Sequence, residues 1–333
     1  MNRISSSHFC KLLLCAAMGI AAMATMAPIS ASAQGGYPDH PIRMVVPFSA
    51  GGGTDVVARG VAKVLSERLK QQVVIDNRVG AGSTIGTDIV SKATPDGYTL
   101  LFASAAHSFS PTVYARLPYS QDDFAAIAIV NSTPLMLAVH PAMGVKDLAS
   151  FIALLKANPG KYNYASSGVG TTLHIAAEHF IRAAGVKATH IPYKGEAPAM
   201  TDLLGGQVSF MVGQASTAVP YVKNGKLIGL GVTTPKRLTS VPAVPTLAEA
   251  GLTGFTAYGW NAILAPKGTP RAVIERLNKE VNAAIASAEV QKTFADLGLD
   301  LVDPTTPETA STFITAETGK WAPVIQAAGI KGE

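Results

Sequence analysis

The sequence predicts an α/β fold rich in parallel strands. Strand-like apolar runs alternate with segments of helical periodicity, the pattern of sheets covered by helices. Three glycine- and hydroxyl-rich turns stand where a strand gives way to a helix. No Gly/Ser-rich or Pro-rich linker separates independent domains, so two domains would have to be joined by strands passing between them.

The first strand is expected over Ile42–Val46, ending in the turn Pro47-Phe48-Ser49-Ala50-Gly51-Gly52-Gly53-Thr54-Asp55. Val57, Val61, Val64, Leu65 and Leu69 then trace one face of a helix, on which Asp55 and Arg59 are spaced to pair. A second strand, Val73–Asp76, leads to Val79-Gly80-Ala81-Gly82-Ser83-Thr84-Ile85-Gly86-Thr87-Asp88. The Asp96-Gly97 turn precedes a third strand at Tyr98–Ala103, and further strands are expected at Ala126–Val130 and Leu135–Val139. The third glycine turn is Ala165-Ser166-Ser167-Gly168-Val169-Gly170-Thr171-Thr172, followed by a helix with Leu173, Ala176, Ala177, Phe180 and Ala184 on its face. Strands resume at Lys187–Ile191, Val208–Val212, Leu227–Thr233 and Ala262–Ala265. A helix begun by Thr269-Pro270 carries Ile274, Leu277, Val281 and Ile285.

The N-terminus reads as a secretory leader: Arg3 and Lys11, an apolar stretch from Leu12 to Met26, then Ala31-Ser32-Ala33. Cleavage after Ala33 would leave a chain beginning at Gln34, in the periplasm. Leu14 ahead of Cys15 is too bulky for a lipobox, so no lipid anchor is expected. Cys10 and Cys15 both lie in the leader, which leaves the exported chain to rely on its core. The net charge of +5 includes Arg3 and Lys11 and is dispersed, which argues against nucleic acid.

A helix start presents unpaired N–H groups and the positive end of the helix dipole, and so attracts anions. Glycine lets a ligand approach the backbone, while Ser and Thr add hydroxyl donors. None of the three turns has the Gly-Lys-Ser/Thr ending of a nucleotide loop, which points to a small anion such as a carboxylate. Any one of these turns is an ordinary connection; three of similar chemistry favour a shared pocket.

Enzyme signatures are weak. Ser83 follows Gly82 directly and Ser167 precedes Gly168 directly, so neither fits G-x-S-x-G. Gly80, Gly82 and Gly86 are one residue too long for a dinucleotide fingerprint. His174 and His179 are not aligned by a helix, and without cysteine no structural zinc site is suggested. The adjacent Asp122 and Asp123 read as a solvated turn. No catalytic residue, metal or cofactor is expected.

From about Tyr37 onward the chain resembles the periplasmic solute-binding proteins of tripartite tricarboxylate transporters, also called Bug receptors. The resemblance rests on Pro47-Phe48 with Gly51-Gly52 and Asp55, Asn77-Arg78-Val79-Gly80-Ala81-Gly82, Pro95-Asp96-Gly97-Tyr98-Thr99-Leu100 and Ser166-Ser167-Gly168-Val169-Gly170-Thr171 with His174. It continues through Pro192-Tyr193-Lys194-Gly195, Asp202-Leu203-Leu204-Gly205-Gly206-Gln207-Val208, Val244-Pro245-Thr246, Trp260, Gly268-Thr269-Pro270, Lys320-Trp321 and Ala328-Gly329-Ile330.

The resemblance implies a two-lobed, type II-like periplasmic binding protein, each lobe a mixed sheet flanked by helices, closing by a hinge on an organic anion in the cleft between them. Residues 34–134 plus 256–333 would form lobe one, and 135–255 lobe two. The implied ligand set is Phe48, Ser49, Ala50, Gly51, Gly52 and Thr54 with Gly80, Ala81, Gly82, Ser83 and Thr84, opposed by Ser167, Gly168, Gly170 and Thr171. Ala105, His107 and Gln214 fall in segments that vary with ligand and join the set, His107 only if the tip of the third strand faces the cleft. Asp202 either bonds an amino or hydroxyl group of the ligand or lies on a helix near the cleft. Asp55 and Asp88 read as helix-start caps or pairs, and Trp260 as hinge or core packing. Ala50 stands where the family often has proline, and Ser83 where it commonly has glycine. A monomer is expected, feeding a small organic carboxylate (a di- or tricarboxylate, an acidic amino acid or an aromatic acid) to large and small membrane subunits. The alternatives are a periplasmic sensor for a signalling partner and a secreted serine hydrolase using Ser167 or Ser83.

Overall fold

A computed structural model describes residues 36–332. The leader, its cleavage point and both cysteines lie outside the described residues. Among the described residues no helix is long and apolar enough to cross a membrane.

Three strands begin the fold: β1 (Ile42–Val46), β2 (Val73–Asn77) and β3 (Thr99–Ser104). β1 lies between the other two and is parallel to both. Helix α1 (Gly53–Leu69) crosses between β1 and β2, and α2 (Thr84–Ser91) between β2 and β3. Every residue of the α1 face traced in the sequence, from Val57 to Leu69, is buried. After β3 comes α3 (Ala106–Val113), then the long strand β4 (Phe124–Val139).

Beyond β4 lie α4 (Leu148–Ala157), β5 (Asn163–Ser166), α5 (Thr172–Ala184), β6 (Thr189–Pro192), α6 (Glu196–Leu204), β7 (Phe210–Gln214), α7 (Ala215–Lys223) and β8 (Ile228–Val232). The chain then returns as β9 (Tyr258–Pro266) and closes with α8 (Arg271–Ile285), α9 (Ala288–Leu297) and α10 (Pro307–Ala328). The strand order is β2-β1-β3-β9-β4-β7-β5-β6, with β8 also on β4.

The outer strands are parallel, as the alternating pattern predicts, but the centre is antiparallel. β9 runs antiparallel to both β3 and β4, and β4 runs antiparallel to β7 and β8. The two segments expected at Ala126–Val130 and Leu135–Val139 are one strand, bent by register shifts between Ala126 and Ala128 and between Ile129 and Asn131. Its partner changes midway: Phe124 through Pro134 face β9, and Leu135 through Val139 face β7. Pro134, which has no N–H to give a ladder, stands at the change. β4 therefore belongs to both groups of strands and carries the chain from one to the other.

β5 escapes sequence reading because it is four residues long and begins with Asn163. Its Tyr164 is fully buried in an aromatic core with Phe210, beside Phe151 and Phe180. Near the far end of the chain, Gly332 N–H donates to the Val113 carbonyl (2.9 Å), which sets Gly332 beside the end of α3.

Candidate functional site

The first glycine turn is fixed by one aspartate. Asp55 accepts from Gly51 N–H (2.9 Å), Arg59 Nε (2.8 Å) and Asn77 Nδ2 (2.8 Å), and Asn77 also donates to the Phe48 carbonyl. Burial alone would raise this carboxyl, but the hydrogen bonds from Arg59, Gly51 and Asn77 outweigh it and hold it below the usual range. Asp55 is thus a strut of the turn, paired with Arg59 as its spacing predicts. Gly51 takes φ +78°, and Gly52 caps α1 without a side-chain hydrogen bond. The first amide of α1, Gly53 N–H, points at the carboxylate of Glu196 (3.2 Å).

The second turn holds four consecutive residues at positive φ: Gly80 (132°), Ala81 (43°), Gly82 (58°) and Ser83 (92°). Two of them are not glycine, so the backbone carries strain at this place. A Cβ added to Gly82 would collide with the Val169 carbonyl oxygen and the Tyr114 hydroxyl. That tyrosine donates to the same carbonyl (3.0 Å). Thr84, at the start of α2, spends its hydroxyl on the Ala81 carbonyl (2.9 Å).

The third turn is internally bonded. Ser166 Oγ bridges the Gly168 N–H and carbonyl, both at 3.1 Å, and shares a hydrogen bond with His190 Nε2 (2.6 Å). Thr171 Oγ donates to the Gly168 carbonyl (2.7 Å), and Gly170 N–H donates to His174 Nδ1 (3.1 Å). The His174 and His190 rings stack at 3.8 Å. Burial depresses both, to about 3 and about 4, the neighbouring His190 adding to the effect on His174. Neutral rings suit their place as props of the turn.

The second and third turns meet where Gly82 lies against Val169, and together they line a cleft of about 440 Å³. Gly80, Ala81, Gly82 and Ser83 line it from the second turn, Ser167, Gly168 and Val169 from the third. Pro47, at the start of the first turn, joins Pro192, Tyr114, Tyr193, Lys194, Lys331 and Gly332 to complete it. Tyr193 is held by Asp202, whose carboxylate accepts its hydroxyl (2.6 Å); burial, with Asp202 beside it, pushes Tyr193 up to about 12. A second, nearly filled void of about 10 Å³ is lined by Phe48, Gly52, Gly53, Thr54, Ser104, Ser167, Glu196 and Gln214 among others. Ser167 borders both.

Glu196 opens α6 after Gly195, whose φ of +137° and lack of a side chain let it lie against Ser49. Its carboxylate is buried and accepts from Gln214 N–H (2.6 Å) and Thr217 Oγ (2.6 Å) as well as from Gly53 N–H. Burial pushes it up to about 7, against these hydrogen bonds. Gln214 Nε2 donates to Thr54 Oγ (3.2 Å), while Gln214 Oε1, Ser216 Oγ and Ser49 Oγ are buried without a partner.

The candidate residues thus fall into four groups. Gly80, Ala81, Gly82, Ser83, Ser167 and Gly168 border the open cleft; Phe48, Gly52, Thr54 and Gln214 border the small void with Ser167. Ser49, Ala50, Gly51, Thr84, Gly170, Thr171 and Asp202 shape or flank the turns without lining either space. Ala105 and His107 lie behind, fully within the protein: Ala105 N–H donates to the Trp260 carbonyl, and the His107 ring packs against Phe124 and Tyr119. Burial drives His107 down to about 4. Trp260 is buried on β9 against Phe313. Sequence reading did not select Glu196, Tyr114, Tyr193, Lys194 or Lys331. Tyr193 and Lys194 belong to one of the family motifs, but only the folded chain carries Lys331 to the cleft.

Residues 57–330 match the family model described as tripartite tricarboxylate transporter family receptor. The chain is 38% identical over 324 residues to protein BugT of Bordetella pertussis, covering 96% of this chain and 98% of that protein. The structure of the periplasmic binding protein BugD superposes with a TM-score of 0.86 at 35% identity, covering 89% of this chain and all of that one (100%). That of R. palustris Rpa4515 with adipate gives 0.85 at 33% identity, covering 89% and 99%. These relatives are binding proteins, not enzymes, and the serine hydrolase alternative falls with them; the histidine near the third turn reaches the fully buried Ser166 rather than Ser167. The mixed sheets flanked by helices are those of a two-lobed periplasmic binding protein. The chain belongs to the tripartite tricarboxylate transporter receptor family and is a periplasmic solute-binding receptor.

Proposed function

We propose that this receptor captures a small organic carboxylate in the cleft between the second and third glycine turns and hands it to a tripartite tricarboxylate-type membrane permease. The observation that carries the reading is that Gly80–Ser83 and Ser167–Val169 line one open space. Turns of this composition offer backbone and hydroxyl donors, which suit an anion held by hydrogen bonds and dipoles. Lys194 and Lys331 on the same cleft add positive charge that the turns lack. The adipate bound by Rpa4515 supports the class of ligand.

In this reading residues 34–134 with 256–333 form one lobe and 135–255 the other, β4 and β9 serve as the hinge, and the receptor works as a monomer. The leader is cleaved after Ala33. N-terminal sequencing of exported protein checks the cleavage, and a lipidated Cys15 would refute it.

Mass spectrometry of ligand released from the purified protein, then calorimetry on matched acid and amide pairs, tests the function. The acid should bind and the amide should not, because each buried donor left unpaired costs about 1–3 kcal/mol. Equal binding of an amide or a neutral sugar would end the carboxylate reading.

A further inference from the structure

The start of α1 is the kind of site a ligand carboxylate takes, yet the protein's own carboxylate is already on it. Gly53 N–H donates to Glu196 Oε2 (3.2 Å), across 143 residues of chain. Glu196 is not there by loose chance: Gln214 N–H and Thr217 Oγ, both at 2.6 Å, grip its other oxygen. None of these partners is charged. The seat is therefore filled, and filled by an acceptor.

The neighbouring groups press the same way. Gln214 Oε1 is buried, without a partner, and aimed at Gly53, where an added Cβ would strike it. Ser216 Oγ lies beside it, also buried and unpartnered. Ser167 borders this pocket and the open cleft, so a ligand end that passes Ser167 meets Glu196 and Gln214.

The geometry points to Glu196 as the specificity-determining residue of this receptor: it occupies a second anion seat, so the chain selects an acid with one carboxylate, whose far end bears an amine or hydroxyl donor, over a dicarboxylate. The inference rests on the carboxylate-receptor reading. A second ligand carboxylate would meet the Glu196 carboxyl, a like charge wherever it is ionised, and the unpartnered Gln214 acceptor, both out of water. A donor there would satisfy both.

The test compares wild type with Glu196→Ala, which empties the seat, and Glu196→Gln, which keeps its volume and turns one acceptor into a donor. Calorimetry uses matched probes, 4-aminobutyrate against glutarate and 4-hydroxybutyrate against succinate. Wild type should favour the amine or hydroxy acid, and both variants should shift the ratio toward the dicarboxylate by at least tenfold. A wild type that favours the dicarboxylate, or a ratio unmoved in both variants, overturns the assignment. Amide NMR with acetate as probe separates this from failure of the receptor reading. The Gly53 amide should move on acetate addition in Glu196→Ala and stay still in wild type, whichever acid the open cleft accepts. Movement in both proteins, or in neither, would overturn the inference even where no probe acid binds.

Discussion

At the scale of single residues, two side chains sit where their chemistry is costly. Ser83 holds φ +92°, a conformation that glycine adopts without penalty. Ser83→Gly should relieve about 1–3 kcal/mol of strain, less the entropy glycine adds to the unfolded chain, for a net gain of about 1 kcal/mol. Urea denaturation measures it, and an unchanged midpoint would show the turn to be relaxed. Glu196 is the other. Its folded-state pKa of about 7 lies above the ordinary 4.5, so the folded protein holds this proton more tightly than the unfolded one. Its contribution is fully present below pH 4.5 and is lost as pH rises through 7, a swing of about 3 kcal/mol. Glu196→Gln should remove that slope from a stability profile taken between pH 4 and 8; a profile parallel to wild type would mean that Glu196 titrates normally.

At the scale of elements, the glycine turns are where strand, helix and cleft meet. Gly82 is boxed in by the Val169 carbonyl and the Tyr114 hydroxyl, one from the facing turn and one from the end of α3. Gly82→Val would force these apart. Ligand affinity should fall by more than a hundredfold, while stability drops by about 1–3 kcal/mol from the positive φ. Calorimetry and denaturation on the same variant separate the two; loss of fold in step with binding would make the glycine purely structural. The predicted helix faces hold for the reason they were legible: in α1, α5 and α8 the apolar residues recur on one side, and that side is buried. β4 reads as two strands in the sequence because Asn131-Ser132-Thr133-Pro134 interrupts the apolar run between Val130 and Leu135.

At the scale of the whole molecule, β4 pairs with both groups of strands, its partner changing at Pro134, and β9 brings the chain back after β8. Rotation about these strands would leave each group intact, as the proposed hinge requires. The radius of gyration from solution scattering should fall when ligand is added. Superimposable profiles, with binding confirmed by calorimetry, would rule out hinge closure.

The sequence by itself determined the alternation of strands and helices, the buried helix faces and the three glycine turns, because each follows from local periodicity or from the φ angles that glycine permits. Asp55 with Arg59 was legible for the same reason, being one helical turn apart. Tertiary structure alone decided which turns share the open cleft, that Lys331 and Gly332 border it, and that His107 faces Phe124 and Tyr119. It also decided that Glu196 reaches Gly53, because a contact across 143 residues depends on the path of every strand between them and leaves no pattern in the neighbours of either residue.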